Sequence, residues 1–374
     1  MGSTLLTPLY GLYEKAFGFS RIVLTLVYAV YVVGNLSALL FLGRLSDEAG
    51  RRRVTLCALA LAAMSTLVFL SAQGTAWLFG ARMLSGFCVG IGSSTTAAWL
   101  AELYDADHRT RATSMATGAN MIGLALGPLA AGLLVQYAPQ PLHLPYVVYL
   151  LGLPVIASLI WRARETVAQR VRSFGALSLR PRLGVPKAIR ASFLAPAVTV
   201  FAAMALIGFY AALVPGILVQ DLHQTNQAID GAVVGELFAA GAVVIFITQK
   251  LKSRTAMLAG LVFLIPGLAL LVSAQALGSM PVLLIATSLG GAAAALCYRG
   301  SLQVINQIAP ADRRAEVVSS YLMAAFSGNS VPIIGVGIVS SISRPIVASI
   351  VFACTLVVFA LIALVTGIRY IPKS

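Results

Sequence analysis

The chain has 374 residues, of which 59% are hydrophobic and only 10% charged, and it carries a formal net charge of +14. A soluble domain averages roughly 25% charged residues, and the apolar residues here come in long uninterrupted blocks, so the composition excludes an ordinary soluble domain. The basic excess does not point to nucleic acid, because it sits in the loops between those blocks.

Crossing a bilayer takes roughly 20 apolar residues, and on that measure the chain is an all-α, polytopic membrane protein. Residues 1–12 are apolar but too short to cross, and Glu14 and Lys15 end the run. This opening lacks the basic start and small-residue cleavage site of a signal peptide. It reads as the outer part of a first span. Span 2 is predicted over 22–42, span 3 over 54–71, span 4 over 77–103, span 5 over 112–137, and span 6 from the prolines at 139–145 to 161. Residues 162–190 hold eight basic residues and one acid, Glu165, with no apolar run. They form a linker between two halves, either an amphipathic helix held by anionic lipid or a solvated tether. Spans 7 to 12 follow over about 193–220, 228–249, 255–274, 281–308, 315–340 and 345–368. The domains are therefore 1–161, a linker at 162–190, and 191–374.

If alternate loops face the cytoplasm, 21 of the 26 basic residues lie on that side; Lys15, Arg21 and Arg344 fall outside, and Arg82 and Arg299 within spans. Lys and Arg gather in cytoplasmic loops, so the linker and C-terminus are expected in the cytoplasm and the protein in the plasma (inner) membrane. The four cysteines all lie in apolar spans without metal or disulfide spacing, and read as small buried residues. The three histidines are scattered over loops, and no phosphate-binding loop ending in Gly-Lys-Ser/Thr occurs. The expectation is no cofactor, no metal site and no catalytic cluster.

The loop after span 2 carries the densest chemistry. It places turn glycines at Gly43 and Gly50, a carboxylate at Asp47, and consecutive arginines at Arg51, Arg52 and Arg53. Asp47 can face a helix N-terminus, where negative charge is favoured. In span 4, Arg82, Gly86 and Gly90 share one helical face. A charge inside a span is costly and normally faces a partner or a water-filled cavity, although an arginine this near an end can also snorkel to the surface. In span 5, Ala119, Gly123, Gly127 and Ala131 repeat every four residues, with Pro128 and Gly132 beside them. Small residues let membrane helices approach closely, and Pro128 removes a backbone donor and bends the helix. Span 8 carries Glu236, 13 residues before Gln249, hence about 20 Å from the basic end at 1.5 Å per residue; Asp230 lies nearer the other end. A carboxylate held away from water can take up and release a proton, so Glu236 is a candidate for proton or cation binding, or else stays paired with an arginine. Arg299 in span 10 could bind an anionic substrate or pair with Glu236.

The halves also resemble each other. An offset of 207 puts Pro8 on Pro215 and Ser46 on Ser253, and one of 205 puts Ala106-Asp107 on Ala311-Asp312. The counterpart of the acidic loop, residues 249–254, is basic only. Parallel repeats with a midplane site between them are one of the transporter architectures.

Three of these stretches, in this order, resemble motifs of the major facilitator superfamily: the G-x-L-x-D-x-x-G-R-R loop at Gly43 to Arg52, the R-x-x-x-G of Arg82 and Gly86, and the G-x-x-x-G-P-x-x-x-G of Gly123, Gly127, Pro128 and Gly132. Ser85 stands where the family often has glutamine. The resemblance implies two pseudo-symmetric six-helix bundles rocking about a central cavity. It implies a secondary transporter of small solutes most like bacterial drug:proton antiporters, acting as a monomer in lipid on a small-molecule substrate and protons. The third motif implies export. Arg82 takes a role in proton coupling, and Asp47 with the arginines forms a latch that meets the N-terminus of span 11 when the inner side is closed. A nutrient importer of the same fold, an inactive truncated paralogue and, last, a membrane enzyme are the alternatives. Mapping span 7 through the repeat puts the start of span 1 about 14 residues before Met1. The expectation is therefore eleven complete spans and one outer half-helix, with at least ~15 further apolar residues needed to complete the first.

Overall fold

The structure, a computed structural model, describes residues 1–42, 45–103, 109–167, 183–310 and 312–371. Helices account for nearly all of them, and no strand occurs among the described residues. Long uncharged runs leave the backbone no partner but itself in lipid, and the helix satisfies every internal N–H and C=O.

A 3-10 turn at Thr7–Leu9 (3 residues) leads into α1, Tyr10–Phe17 (8 residues), which stops at Gly18 in the left-handed conformation. Together they rise about 16 Å at most, half the hydrocarbon thickness. Then come α2, Arg21–Leu42; a short α3, Leu45–Ala49; α4, Arg51–Leu70; α5, Thr75–Leu103; α6, Arg109–Tyr137; and α7, Leu144–Arg162. The second half holds α8, Arg190–Ala212; α9, Val214–Gln220; α10, Gln227–Ile247; α11, Ser253–Leu277; α12, Met280–Ile308; α13, Arg314–Gly328; α14, Val331–Ile342; and α15, Pro345–Tyr370. Among the described residues, ten helices or helix pairs are long and apolar enough to cross a membrane. At 29 residues α5 matches them in length, but Arg82 and a run of serines and threonines dilute it. The linker at 168–182, His108 and the acids Asp105 and Asp107 lie outside the described residues, as do Gly43 and Arg44.

Two predicted spans are broken. Span 7 divides at Leu213, where Pro215 opens α9, and span 11 divides at Asn329-Ser330, where Pro332 opens α14. A proline has no N–H to give and clashes with the preceding turn, and one stands at each break.

The helices form two bundles, the first holding α1 to α7 and the second α8 to α15. In the first, α5 packs between α2 and α4; in the second, α12 packs against α8, α10 and α11. The close crossings repeat. A Cβ on Gly86 of α5 would collide with the Tyr31 carbonyl of α2, and one on Gly291 of α12 would collide with the Leu237 carbonyl of α10. The 205-residue offset relates those two glycines, and the 207-residue offset relates their neighbours Gly34 and Gly241. Peripheral α7 turns Leu151, Val155 and Leu159 outward, all more than 60% exposed. Cys57 and Cys354 are also exposed and Cys88 half-buried, leaving Cys297 alone as the buried small residue expected of all four.

Arg51 to Arg53, Glu165 at the start of the linker and Tyr370 mark one end of the molecule, the basic end. The closest approaches between bundles lie in the other half. There the Tyr28 hydroxyl of α2 donates to Asn329 Oδ1 at 3.2 Å, and Thr25 lies against Gly337 of α14.

Candidate functional site

At the basic end the arginine-rich loop is a built network. Gly50, at φ 104°, turns the chain into α4. Arg51 is buried. Its guanidinium pairs with Asp47 one turn back, donates to Ser46 Oγ at 2.6 Å and to Glu102 Oε1 at 2.6 Å, and bonds Glu102 Oε2 through Nε at 3.2 Å. The fork of a guanidinium suits two carboxylates at once. Glu165, at the start of the linker, caps α4: its carboxylate accepts from the backbone N–H of Arg51 at 2.9 Å and of Arg52 at 3.3 Å. A negative charge there satisfies orphan donors and meets the helix dipole. Arg52 lies over the Trp161 ring and bonds its carbonyl, and Trp99 Nε1 donates to the Arg164 carbonyl at 2.9 Å. The exit of α7 is thus tied to α4 and α5.

In the second bundle the counterparts of Ser46 and Glu102 are neutral, and that of Asp47 is Arg254. Ser253 Oγ accepts from Gln307 Nε2 at 3.1 Å. Ser253 is the repeat partner of Ser46, and Gln307 that of Glu102.

Deeper in, Arg82 is 2% exposed. This burial rules out snorkelling. Its guanidinium stands 4.7 Å from the Tyr31 ring centroid, 5.5 Å from Tyr28 and 5.9 Å from Tyr10, and one nitrogen donates to the Ser3 carbonyl at 3.2 Å. Ring faces replace an anion here. Arg82 Nε and the Tyr10 hydroxyl are buried with no hydrogen-bond partner. The repeat position of Arg82 is Thr287, whose hydroxyl bonds Tyr210, the repeat position of Ser3.

The small residues of α6 form two contacts. Gly127 packs on the first turn of the chain, where the Thr4 hydroxyl bonds the Leu124 carbonyl at 3.2 Å. Pro128 and Gly132 meet α10 instead: Gly132 lies against the Gln227 carbonyl, and a Cβ on Gly231 would collide with the Pro128 carbonyl. This seam joins one bundle to the other. Ala119, expected on the packed face, is exposed.

On α10, Asp230 is 1% exposed and Glu236 is half-buried. Glu236 Oε1 accepts from the Ser288 hydroxyl of α12 at 2.6 Å. At the end away from the basic loop, a crevice of about 50 Å³ opens between the bundles, with Glu14 and Arg21 at its polar edge and Phe209, Val336 and Ala348 in its wall. Burial pushes the Glu14 carboxyl up, against the pull of Arg21 and Lys15.

A family model described as Major Facilitator Superfamily matches residues 1–332. The chain belongs to the major facilitator superfamily. Among curated relatives it is 27% identical to the multidrug resistance protein MdtL of Shewanella sp. (strain ANA-3) over 39% of this chain and 37% of that protein, so that match spans little more than a third of either. It is 25% identical to MdtL of Klebsiella pneumoniae (strain 342) over 94% of this chain and 88% of that one. Among solved structures, a bacterial homolog to the human lysosomal transporter Spinster, in an inward-facing and unoccupied conformation, superposes with a TM-score of 0.74 at 15% identity, covering 98% of this chain and 94% of that one. The protein is a multi-pass membrane protein of the facilitator fold.

Of the residues singled out in the facilitator's sequence, the structure brings together Asp47 and Arg51, and Arg82 with the aromatic residues around it. Arg299, expected either to bind an anionic substrate or to pair with Glu236, donates in this structure to the carbonyls of Thr248 at 2.6 Å, Leu251 at 3.0 Å and Gln249 at 3.1 Å. It caps the C-terminus of α10, where the exposed carbonyls favour a cation. Asp47 lies in the first turn of α3, its charge taken up by its own loop. Glu102 and Glu165, absent from the motifs, complete the network. The repeat offers one signal for Glu102, since it falls on the polar Gln307.

Proposed function

We propose that this facilitator exports small solutes in exchange for protons, by alternating access between its two bundles. It acts as a monomer in the plasma membrane, with the basic end, linker and C-terminus in the cytoplasm. The observation that carries export is the match to a multidrug resistance protein over 94% of the chain. The G-x-x-x-G-P-x-x-x-G stretch, lying in the seam between bundles, supports it. In this reading the conformation is closed at the outer end, where the bundles touch, and open at the basic end. Asp47 and Arg51 to Arg53 are the latch that engages when the basic end closes.

Glu236 is the proton-coupled carboxylate. It stands about 17 Å from the basic end of α10, on the same exposed stripe as Ala239 and Val243, and accepts a hydrogen bond from the Ser288 hydroxyl. An ionisable group at that depth is costly unless it serves transport. In everted membrane vesicles, Glu236→Gln is expected to abolish ethidium uptake driven by a pH gradient while leaving downhill exchange. Uptake equal to the wild type's would remove Glu236 from the mechanism.

A further inference from the structure

Asp230 lies at the crossing of three elements, two of them from the other bundle. It sits one turn into α10, which packs on α6 through Gly231 and Gly132, and on the segment before α1. Gln227 ties these together. Its backbone N–H is bound by Gln136 Oε1 of α6 at 2.9 Å. With its amide nitrogen turned inward, its side chain donates to the Pro8 carbonyl at 2.7 Å and to Asp230 Oδ2 at 3.0 Å. Asp230 Oδ1 is buried with no partner.

No cation offsets this carboxylate. Apart from the amino group of Met1, which lies against Gly123 of α6, the segment before α1 has no charged group before Glu14, α6 has none from Gly118 to Tyr137, and α12 has none before Arg299. The neighbouring α9 ends at Asp221, whose Oδ2 accepts from Gln275 at 2.9 Å, and α10 itself adds only Glu236, six residues on. The N-terminus of α10 favours a negative charge in its first turn, but burying an unpaired charge costs more than one helix end returns. The closed seam therefore suits a neutral acid, whose O–H can serve a nearby carbonyl, and water must enter to serve the anion.

We infer that Asp230 is a proton switch on the seam between the bundles: protonated, it holds the outer end closed, and ionised, it favours the outer end parting. This rests on the alternating-access reading above and adds a residue to it. Glu236 would carry the coupled proton, while Asp230 would make closure itself depend on pH. The outer end should stay closed at low pH and populate the open state as pH rises.

The test is the distance between spin labels at Gln73, in the turn before α5, and Leu277, at the end of α11, both exposed and on different bundles. The labelled chain, with its four native cysteines replaced by alanine, is reconstituted in nanodiscs and measured by double electron–electron resonance from pH 5 to 9. The wild type should gain a longer distance as pH rises. Asp230→Asn should keep the short distance throughout, Asp230→Glu should retain the transition, and Gln227→Leu, lacking the donor to Oδ2, should move it to higher pH. If Asp230→Asn does not fold, the Gln227→Leu shift decides. An unshifted Gln227→Leu, or an Asp230→Asn transition like the wild type's, overturns the switch while leaving alternating access standing. One fixed distance at every pH overturns the switch; if added ethidium also leaves that distance unchanged, alternating access falls with it.

Discussion

Arg51 shows how far a residue's role can lie from its sequence surroundings. Three consecutive arginines read as an electrostatic anchor, and for exposed Arg53 the structure gives no reason to revise that. Arg51 instead is buried between acids 51 and 4 residues away, and its helix is capped by one 114 residues away. Local pattern carries the charge and the turn glycines but not those distant partners. Arg51→Ala should lower stability by about 1–3 kcal/mol, the cost of leaving buried polar partners unpaired, read as thermal unfolding in detergent; Arg53→Ala should change it by less than about 0.5 kcal/mol. Equal effects would remove the network from the account. Arg299 makes the complementary point. A cation in an apolar run reads as a binding residue, yet 1.5 Å per residue already places it opposite the last turn of α10. Arg299→Ala should cost about 1–2 kcal/mol through the lost charged hydrogen bonds without altering the pH response of transport, whereas a changed pH response would return it to the proton pathway.

At the scale of elements, the helices were legible almost to their ends, because uninterrupted apolar runs leave few other structures in lipid. The breaks in spans 7 and 11 were not read, although Pro215 and Pro332 stand at both. A proline within a long apolar run can bend a helix, as expected of Pro128, or end it, and packing decides between them. Where α8 crosses α13, Gly208 lies against the Asn329 carbonyl at the break and Gly328 against the Phe201 carbonyl of α8. The four-residue spacing in α6 likewise identified a packed face but not its partner, which is the first turn of the chain for Gly127 and α10 for Gly132. Gly231→Val should prevent proper joining of the bundles, since its Cβ would enter the Pro128 carbonyl, whereas Gly152→Ala on peripheral α7, with open space beside it, should be neutral. Folded yield by fluorescence-detected gel filtration separates the two. A normal Gly231→Val would show that the seam is looser than its geometry implies.

For the whole molecule, the repeat is the most informative feature of the sequence. It relates not only loops but contacts: the Gly86 crossing to the Gly291 crossing, and the Arg82–Ser3 bond to the Thr287–Tyr210 bond. Where the halves differ, the charges differ with them: Arg82 stands against Thr287 and Glu102 against Gln307, while Asp230 and Glu236 of α10 have the neutral counterparts Val23 and Ala29. In the proposed cycle the first half supplies the latch and the second the protonatable carboxylates. The central claim is that a proton gradient drives this cycle outward. It is tested most directly by ethidium accumulation in cells expressing the chain, measured before and after a protonophore. The account predicts lower accumulation than in cells without it, rising to the control level once the gradient collapses. Accumulation that stays low after the protonophore would contradict proton-driven export, and accumulation that is higher with the chain than without it would reverse the direction assigned here.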